Sequence, residues 1–393
     1  MRKFWYPVIG LILALGAIGG YLAYSSIEPE DEFVSHKPAF IGVSAEALKP
    51  LSNTDRNNVV LTSETGHELG LLQTQAVYFP SIERLGDYFA VPDEDHLLVL
   101  DKQLKLVRKL HIPGLGVGTL TNSHGSPNGN VAAFYFNDGN AEYRERHLMV
   151  LAEGDRVFSM HTRYKPDAVA ACDDASIVWL EHFPESKDNT DGPGTTWMIH
   201  ATIDGDVTEY EIPFAAEYSP TYHSSLNCLD EASYVVHYTD NDLLVLKIEL
   251  VNGKSEIVDQ GTMPLPEAMQ AGRYYHTSGS KYYVYGESGA LHRFDLDSRT
   301  EDYSVVPLDD KFRRRSITIE GDTALIVATF EGFDFKQALS LVDLNNPQCV
   351  SRPIRLRGYD TPPKTFGDHL FSASHIVVDS ILPIEPNPKV DCA

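Results

Sequence analysis

The feature that most restricts the fold of this chain is a turn that returns at a fixed interval. Each copy follows an apolar run and carries Asp, Glu or Asn at its corner. The copies are "VLDKQ" at Asp101, "VLAEGD" at Glu153, "TIDGD" at Asp204, "ELVNGK" at Asn252, "DLDSR" at Asp297 and "DLNNP" at Asn345. Their successive spacings are 52, 51, 48, 45 and 48 residues. Hardly any helical period occurs between them. A repeat of this size is a supersecondary unit that buries its apolar faces only by stacking on neighbouring copies.

A second turn, followed by an apolar strand, recurs upstream of each marker. It reads "LGDYFAV" (85–91), "NGNVAAFYF" (128–136), "CDDASIVWL" (172–180), "LDEASYVVHY" (229–238), "SGSKYYVYG" (278–286) and "EGDTALIVA" (320–328), with "FGDHLFSAS" (366–374) as a seventh copy. One unit is therefore an inner strand a, a turn, strand b, a loop, strand c, the marker turn and strand d. Four antiparallel strands of this length make one propeller blade.

Six units are complete and the seventh is split. "DHLFSAS" and "HIVVDSILPI" lie near the C-terminus, and "NNVVLTSE" and "HELGLLQ" (57–73) are unpaired candidates for the strand it lacks. Sharing a blade between the two ends closes the ring and removes an exposed sheet edge. The expected fold is all-β, a seven-bladed β-propeller over 57–383, with six to eight blades as the range.

The apolar-Asp-polar marker turns and the Gly-Asp turns resemble those of the extracytoplasmic β-propellers of the YVTN/WD-like, quinoprotein-like superfamily. The resemblance covers roughly 58–380. It implies an architecture and is nearly silent on chemistry, because such folds host both enzymes and pure scaffolds. The Trp-Asp ending of the WD subgroup is absent, and no quinone-cofactor motif is recognisable.

The N-terminus reads as a targeting segment. "MRK" is cationic, residues 4–24 carry no charge, and "SSIEPEDE" then turns acidic. Residues 1–25 fit an uncleaved transmembrane anchor with its N-terminus in the cytoplasm. They also fit a signal peptide with its core at 7–20 and a small-residue cleavage site at Ala23-Tyr24-Ser25. Either reading places the body outside the cytoplasm, extracellular or periplasmic, and secreted if cleavage occurs. Residues 26–56 read as a polar stalk and 384–393 as a C-terminal tail.

The cysteines suit that compartment. Cys172, Cys228, Cys349 and Cys392 form no CxxC pair, which disfavours zinc and permits disulfides. Cys172 and Cys228 hold nearly equivalent positions in consecutive units, as a bridge between blades or as two equivalent buried thiols. A Cys349–Cys392 bond would pin the tail to the rim.

Charge excludes one class of partner. With 32 Lys+Arg against 56 Asp+Glu, the formal charge of -24 repels nucleic acid. The b–c loops are acidic almost throughout, and "DNTDG" (188–192) comes nearest to a calcium loop. Lys187 stands where the first acidic ligand belongs and the closing Glu is missing, so solvation is the favoured reading. No cofactor is expected.

The segments leading into the inner strands are instead basic and aromatic. Lys165, Tyr222, His223, Arg273, Tyr275, His276, Arg313, Arg314 and Arg315 are the candidate ligand-binding residues, lining or flanking an axial funnel. Arg forks suit carboxylates or phosphates, and aromatic faces suit a planar or sugar-like body. Loop cations in solvent and Tyr or His filling gaps between blades are the plain alternative. His124, His223 and His276 fall on or just before inner strands and could converge on the axis, although their offsets from the following turns differ.

No GxSxG elbow and no defensible Ser-His-Asp order is present, so no catalytic residue is nominated. The expected function is a membrane-tethered binding or scaffold module for a partner protein or an anionic or glycan ligand. The alternative is a propeller enzyme, a hydrolase, lyase or oxidoreductase, that uses the basic, aromatic funnel.

Overall fold

Strands b and c of each unit are near-continuous apolar runs, whereas strand d alternates or is polar. That pattern is what a sheet covered on both faces in its middle and bare at its outer edge requires. The computed structural model describes residues 35–45, 56–75, 80–116, 119–141, 144–186, 189–212, 225–228, 233–238, 242–251, 254–264, 275–285, 289–306, 312–330, 337–357, 359 and 377–392. They form seven four-stranded antiparallel sheets. The chain has the all-β, seven-bladed propeller fold.

The N-terminal side supplies β1 (Pro38–Ala45), β2 (Arg56–Ser63) and β3 (Glu68–Gln75). Blade one follows as β4 (Glu83–Leu85), β5 (Tyr88–Asp93), β6 (His96–Leu100) and β7 (Leu106–His111). Blade two is β8 (Thr119–Gly125), β9 (Val131–Ala141), β10 (Arg144–Glu153) and β11 (Arg156–Thr162). Blade three is β12 (Pro166–Cys172), β13 (Ser176–Ser186), β14 (Asn189–Thr202) and β15 (Val207–Ile212). Blade four is β16 (Ser225–Leu226), β17 (Ser233–Tyr238), β18 (Asp242–Val251) and β19 (Lys254–Pro264). Blade five is β20 (Tyr275–Ser278), β21 (Lys281–Tyr285), β22 (Leu291–Asp295) and β23 (Thr300–Val305). Blade six is β24 (Phe312–Glu320), β25 (Thr323–Phe330), β26 (Gln337–Asp343) and β27 (Ile354–Leu356). All six marker turns fall between strands c and d.

The seventh blade closes the ring differently from the sequence reading. Its order is β28-β1-β2-β3, with β28 (Val377–Pro383) innermost and paired to β1 from Phe40↔Pro383 to Ala45↔Val377. The C-terminal end thus gives one inner strand, and the N-terminal side gives three. β1 lies inside the stretch 26–56 assigned to a stalk, so the propeller has begun by Pro38. Its sequence, "PAFIGVSA", is rich in small residues and shows no clear alternation, which is why it passes for linker. "FGDHLFSAS" and the apolar N-terminal run fall outside the described residues. Among the described residues no helix is long and apolar enough to cross a membrane.

Period-2 alternation distributes each blade's side chains to its two neighbours. In blade two, Phe134, Phe136, Leu148 and Val150 pack with Leu97, Val99 and Leu110 of blade one. The intervening residues Ala133, Tyr135, Met149 and Leu151 pack with Ile177, Trp179 and Ile199 of blade three. Seven such apolar clusters follow one another around the ring. The cluster between blades seven and one joins Ile41, Val43 and Leu382 to Phe89, Val91 and Leu100. A one-residue register slip in any strand would exchange its two interfaces, so closure and register enforce each other.

Both expected disulfides are formed. Cys172–Cys228 joins the inner ends of blades three and four, with Cα atoms 5.6 Å apart. Cys349–Cys392 ties the C-terminal segment to blade six, with Cα atoms 4.7 Å apart. That segment is also held by the Ser351↔Cys392 bridge and by a hydrogen bond of 3.2 Å from the Thr323 hydroxyl to the Pro388 carbonyl.

Candidate functional site

Side chains of the inner strands alternate between the two neighbouring blades, so residues two apart on one strand face the same neighbour. On β4 the buried Leu85 packs between blades, and Glu83, two residues earlier, is half-buried. The Ser123 hydroxyl on β8 donates a short hydrogen bond to Glu83 Oε1, and the Ser81 and Ser123 hydroxyls bond each other. A Cβ on Gly125 would lie 2.9 Å from Glu83 Oε2, so a larger residue there would push the carboxyl aside.

This carboxyl has lost most of its water. Burial pushes Glu83 up to about 8, the Ser123 hydrogen bond opposes that rise, and the Glu320 charge adds to it. At neutral pH Glu83 is therefore mainly a carboxylic acid.

Two imidazoles accompany it. His124 on β8 and His276 on β20 belong to blades two and five, on opposite sides of the ring. Burial pulls both down to about 4, and His276 further disfavours a proton on His124. Both rings are neutral at physiological pH. The Nε2 of His124 is buried without a hydrogen-bond partner among the described residues. A buried polar nitrogen left in that state marks a place for a ligand or an ordered water.

The positive charge next to Glu83 on β4 is already committed. Arg84 is buried, donates from Nε to Glu320 Oε1 at 2.6 Å, and donates to the carbonyls of Pro383 at 2.6 Å and Ile384 at 3.3 Å. The inner strands thus offer hydroxyls and a carboxylic acid at Ser81, Ser123 and Glu83, and neutral imidazoles at His124 and His276. Such a set forms hydrogen bonds in both directions.

Only part of the sequence-nominated set can be located. His276 joins the axial cluster. Lys165 is exposed on the segment between β11 and β12. Tyr275 lies on β20, and Arg313, Arg314 and Arg315 lie on β24. Tyr222, His223, Arg273 and "DNTDG" with its neighbour Lys187 carry no described side chains. Glu83, His124 and His276 lie near the a–b turn ends of their strands, whereas Lys165 precedes β12 and Arg313, Arg314 and Arg315 lie at the opposite end of β24. Sequence reasoning missed Glu83, Arg84 and Glu320. The available signal was a Glu-Arg pair inside "PSIER", a segment that broke the basic-aromatic trend.

No family model matches this sequence, and no curated protein matches it. Among solved structures, apo AztD from Citrobacter koseri superposes with a TM-score of 0.44 at 11% identity, over 90% of this chain and all of that one (100%). A protein of unknown function from Bacteroides caccae gives a TM-score of 0.41 at 9% identity, over 89% and 100%. The dihydro-heme d1 dehydrogenase NirN, in complex with DHE, gives 0.44 at 12% identity, over 84% and 76%. The fold assignment rests on the seven sheets of this chain.

Proposed function

We propose that this chain is an extracytoplasmic binding propeller whose axial cluster holds a neutral, hydroxyl-bearing ligand of the glycan type. The observation that carries this reading is the buried, unpartnered Nε2 of His124, set among groups that bear little charge at neutral pH. A sugar hydroxyl is at once donor and acceptor. It meets an imidazole lone pair, a serine hydroxyl or a carboxylic acid without leaving a buried charge unpaired. An anion is the poorer fit at this level, because Arg84 is already occupied by Glu320 and two carbonyls. Two structural disulfides support an oxidising compartment. Anchoring through residues 4–24 completes the proposal.

Calorimetric titration of the full chain with a panel of neutral and anionic oligosaccharides tests it. Neutral members bind, and His124→Ala and Ser123→Ala weaken binding about ten-fold or more, the loss expected of a buried hydrogen bond of ~1.4 kcal/mol or above. Preference for the anionic members, or binding indifferent to both substitutions, contradicts it.

One observation favours a second reading, catalysis. A carboxyl that holds its proton to about pH 8 is suited to act as a general acid. Glu83→Gln separates the two readings: a binding module keeps its affinity, whereas an enzyme keeps its affinity and loses turnover.

A further inference from the structure

Outside the axis, one group of His and carboxylate side chains among the described residues brings its ligand atoms together: Asp95, His96 and His111, within 4.8 Å of one another. The register of blade one creates it. His96 opens β6 and His111 closes β7, and the two residues stand directly opposite each other across the strands. Cross-strand partners present their side chains on the same face of the sheet, and here the ring centroids are 5.3 Å apart.

Asp95 sits between the two rings. Its Oδ1 is 2.6 Å from Nδ1 of His96, and its Oδ2 is 3.6 Å from Nδ1 of His111. The turn that carries it is tight, since Asp93 pairs with His96 and leaves only Glu94 and Asp95 between the strands. Glu94 adopts a left-handed backbone, with φ of 52°, a conformation that L side chains rarely choose. Two-residue hairpin turns require such a backbone. The Ile112 N–H bonds the Asp95 carbonyl at 2.8 Å, and the Gln75 N–H bonds Asp93 Oδ1 at 2.8 Å. The turn is thereby fixed to β7 on one side and to blade seven on the other.

We infer that Asp95, His96 and His111 form a transition-metal site on the rim of blade one, selective for borderline divalent cations such as Zn2+ over Ca2+ or Mg2+. Two imidazoles and one carboxylate are the ligands such ions take, and hard cations prefer all-oxygen shells. Ligand atoms about 2.0–2.2 Å from a tetrahedral ion lie about 3.3 Å from each other. The 3.6 Å from Asp95 Oδ2 to His111 Nδ1 already has that scale, and the 2.6 Å contact of the other oxygen, Oδ1, with His96 Nδ1 opens as a small rotation of the carboxylate presents one oxygen to the ion. The ligands face solvent, so the remaining coordination position is open to water or to a donor from a bound partner. The site lies at the b–c end of its blade and is independent of the axial proposal.

Zn2+ calorimetry and Co2+ visible absorption on the full chain test this at pH 7.5 in a non-chelating buffer. The wild type binds one equivalent at this site. His111→Gln weakens it ten-fold or more, His96→Gln/His111→Gln abolishes it, and His124→Ala/His276→Ala leaves it intact. Both substitutions at blade one fall on the rim, and a matched thermal melt checks that the variant is folded. Absence of a Co2+ ligand-field band in the wild type overturns the inference. So does undiminished binding in the double rim variant.

Discussion

Arg84 and Glu320 meet at 2.6 Å although they belong to blades one and six, which flank blade seven. The same guanidinium holds the carbonyls of Pro383 and Ile384, at the end of the closing strand β28. It also lies over the Phe89 ring at 5.2 Å. One side chain therefore joins the first blade, the penultimate blade and the C-terminal strand. Its stem fills space that blade two leaves open, because a Cβ on Gly129 would sit 2.4 Å from Arg84 Cδ.

Removing this clamp has a predictable cost. Arg84→Ala leaves Glu320 without its partner near Glu83 and strips two carbonyls of a donor. The expected destabilisation is about 3–5 kcal/mol, the range for breaking a buried pair by truncating one member. Urea unfolding monitored by intrinsic fluorescence measures it. A loss below about 1 kcal/mol would mean that the clamp is decorative.

The disulfides act on the unfolded chain. They span 56 and 43 residues, and chain entropy assigns about 4 kcal/mol to each loop. Cys172→Ser/Cys228→Ser and Cys349→Ser/Cys392→Ser should each lower the urea midpoint with little change in slope. The second pair should also speed proteolysis of the C-terminal segment. Equal midpoints with and without reductant would contradict this account.

The two levels of structure differed in how far they could be read ahead. The blade repeat is visible because each c–d turn needs an Asp, Asn or Glu corner after an apolar run, and the turn at Asp101 shows the reason. Asp101 accepts the backbone N–H groups of Gln103 and Lys105 through Oδ1, both at 2.9 Å. That local chemistry is written in five residues. The placement of β1 was not legible, since its identity comes from pairing with a strand more than 330 residues away, Phe40↔Pro383. The axial cluster was hidden for the same reason. Glu83, Ser123, His124 and His276 lie on three inner strands, with Ser81 just before the first of them, and come together only when the blades assemble. Glu83 drew no attention in the sequence because no local pattern distinguishes a Glu buried against the next blade's inner strand from a solvated one.

The axial carboxyl gives stability a definite pH signature. Burial raises Glu83 in the folded state from 4.5 to about 8, so the folded protein binds a proton that the unfolded chain releases. The associated stability is fully present below pH 4.5 and is lost as pH rises through about 8. His124 and His276 work in the opposite sense. Their stabilisation is present above 6.5 and is lost as pH falls through about 4. Glu83→Gln should therefore flatten the decline between pH 5 and 8, a relative gain on the order of 2–4 kcal/mol at the upper end. An unchanged pH profile would show that Glu83 is hydrated and ordinary.

The central claim is that the axis presents uncharged hydrogen-bonding groups at neutral pH. The most direct test follows the Cε1–H resonances of His124 and His276 by NMR between pH 3 and 8, assigned with His124→Gln and His276→Gln. Both should titrate at about 4 and remain neutral through pH 7, with His124 moving upward when His276 is replaced. Midpoints near 6.5 for either ring would show a solvated channel, and the reading of a neutral, desolvated ligand site would fall.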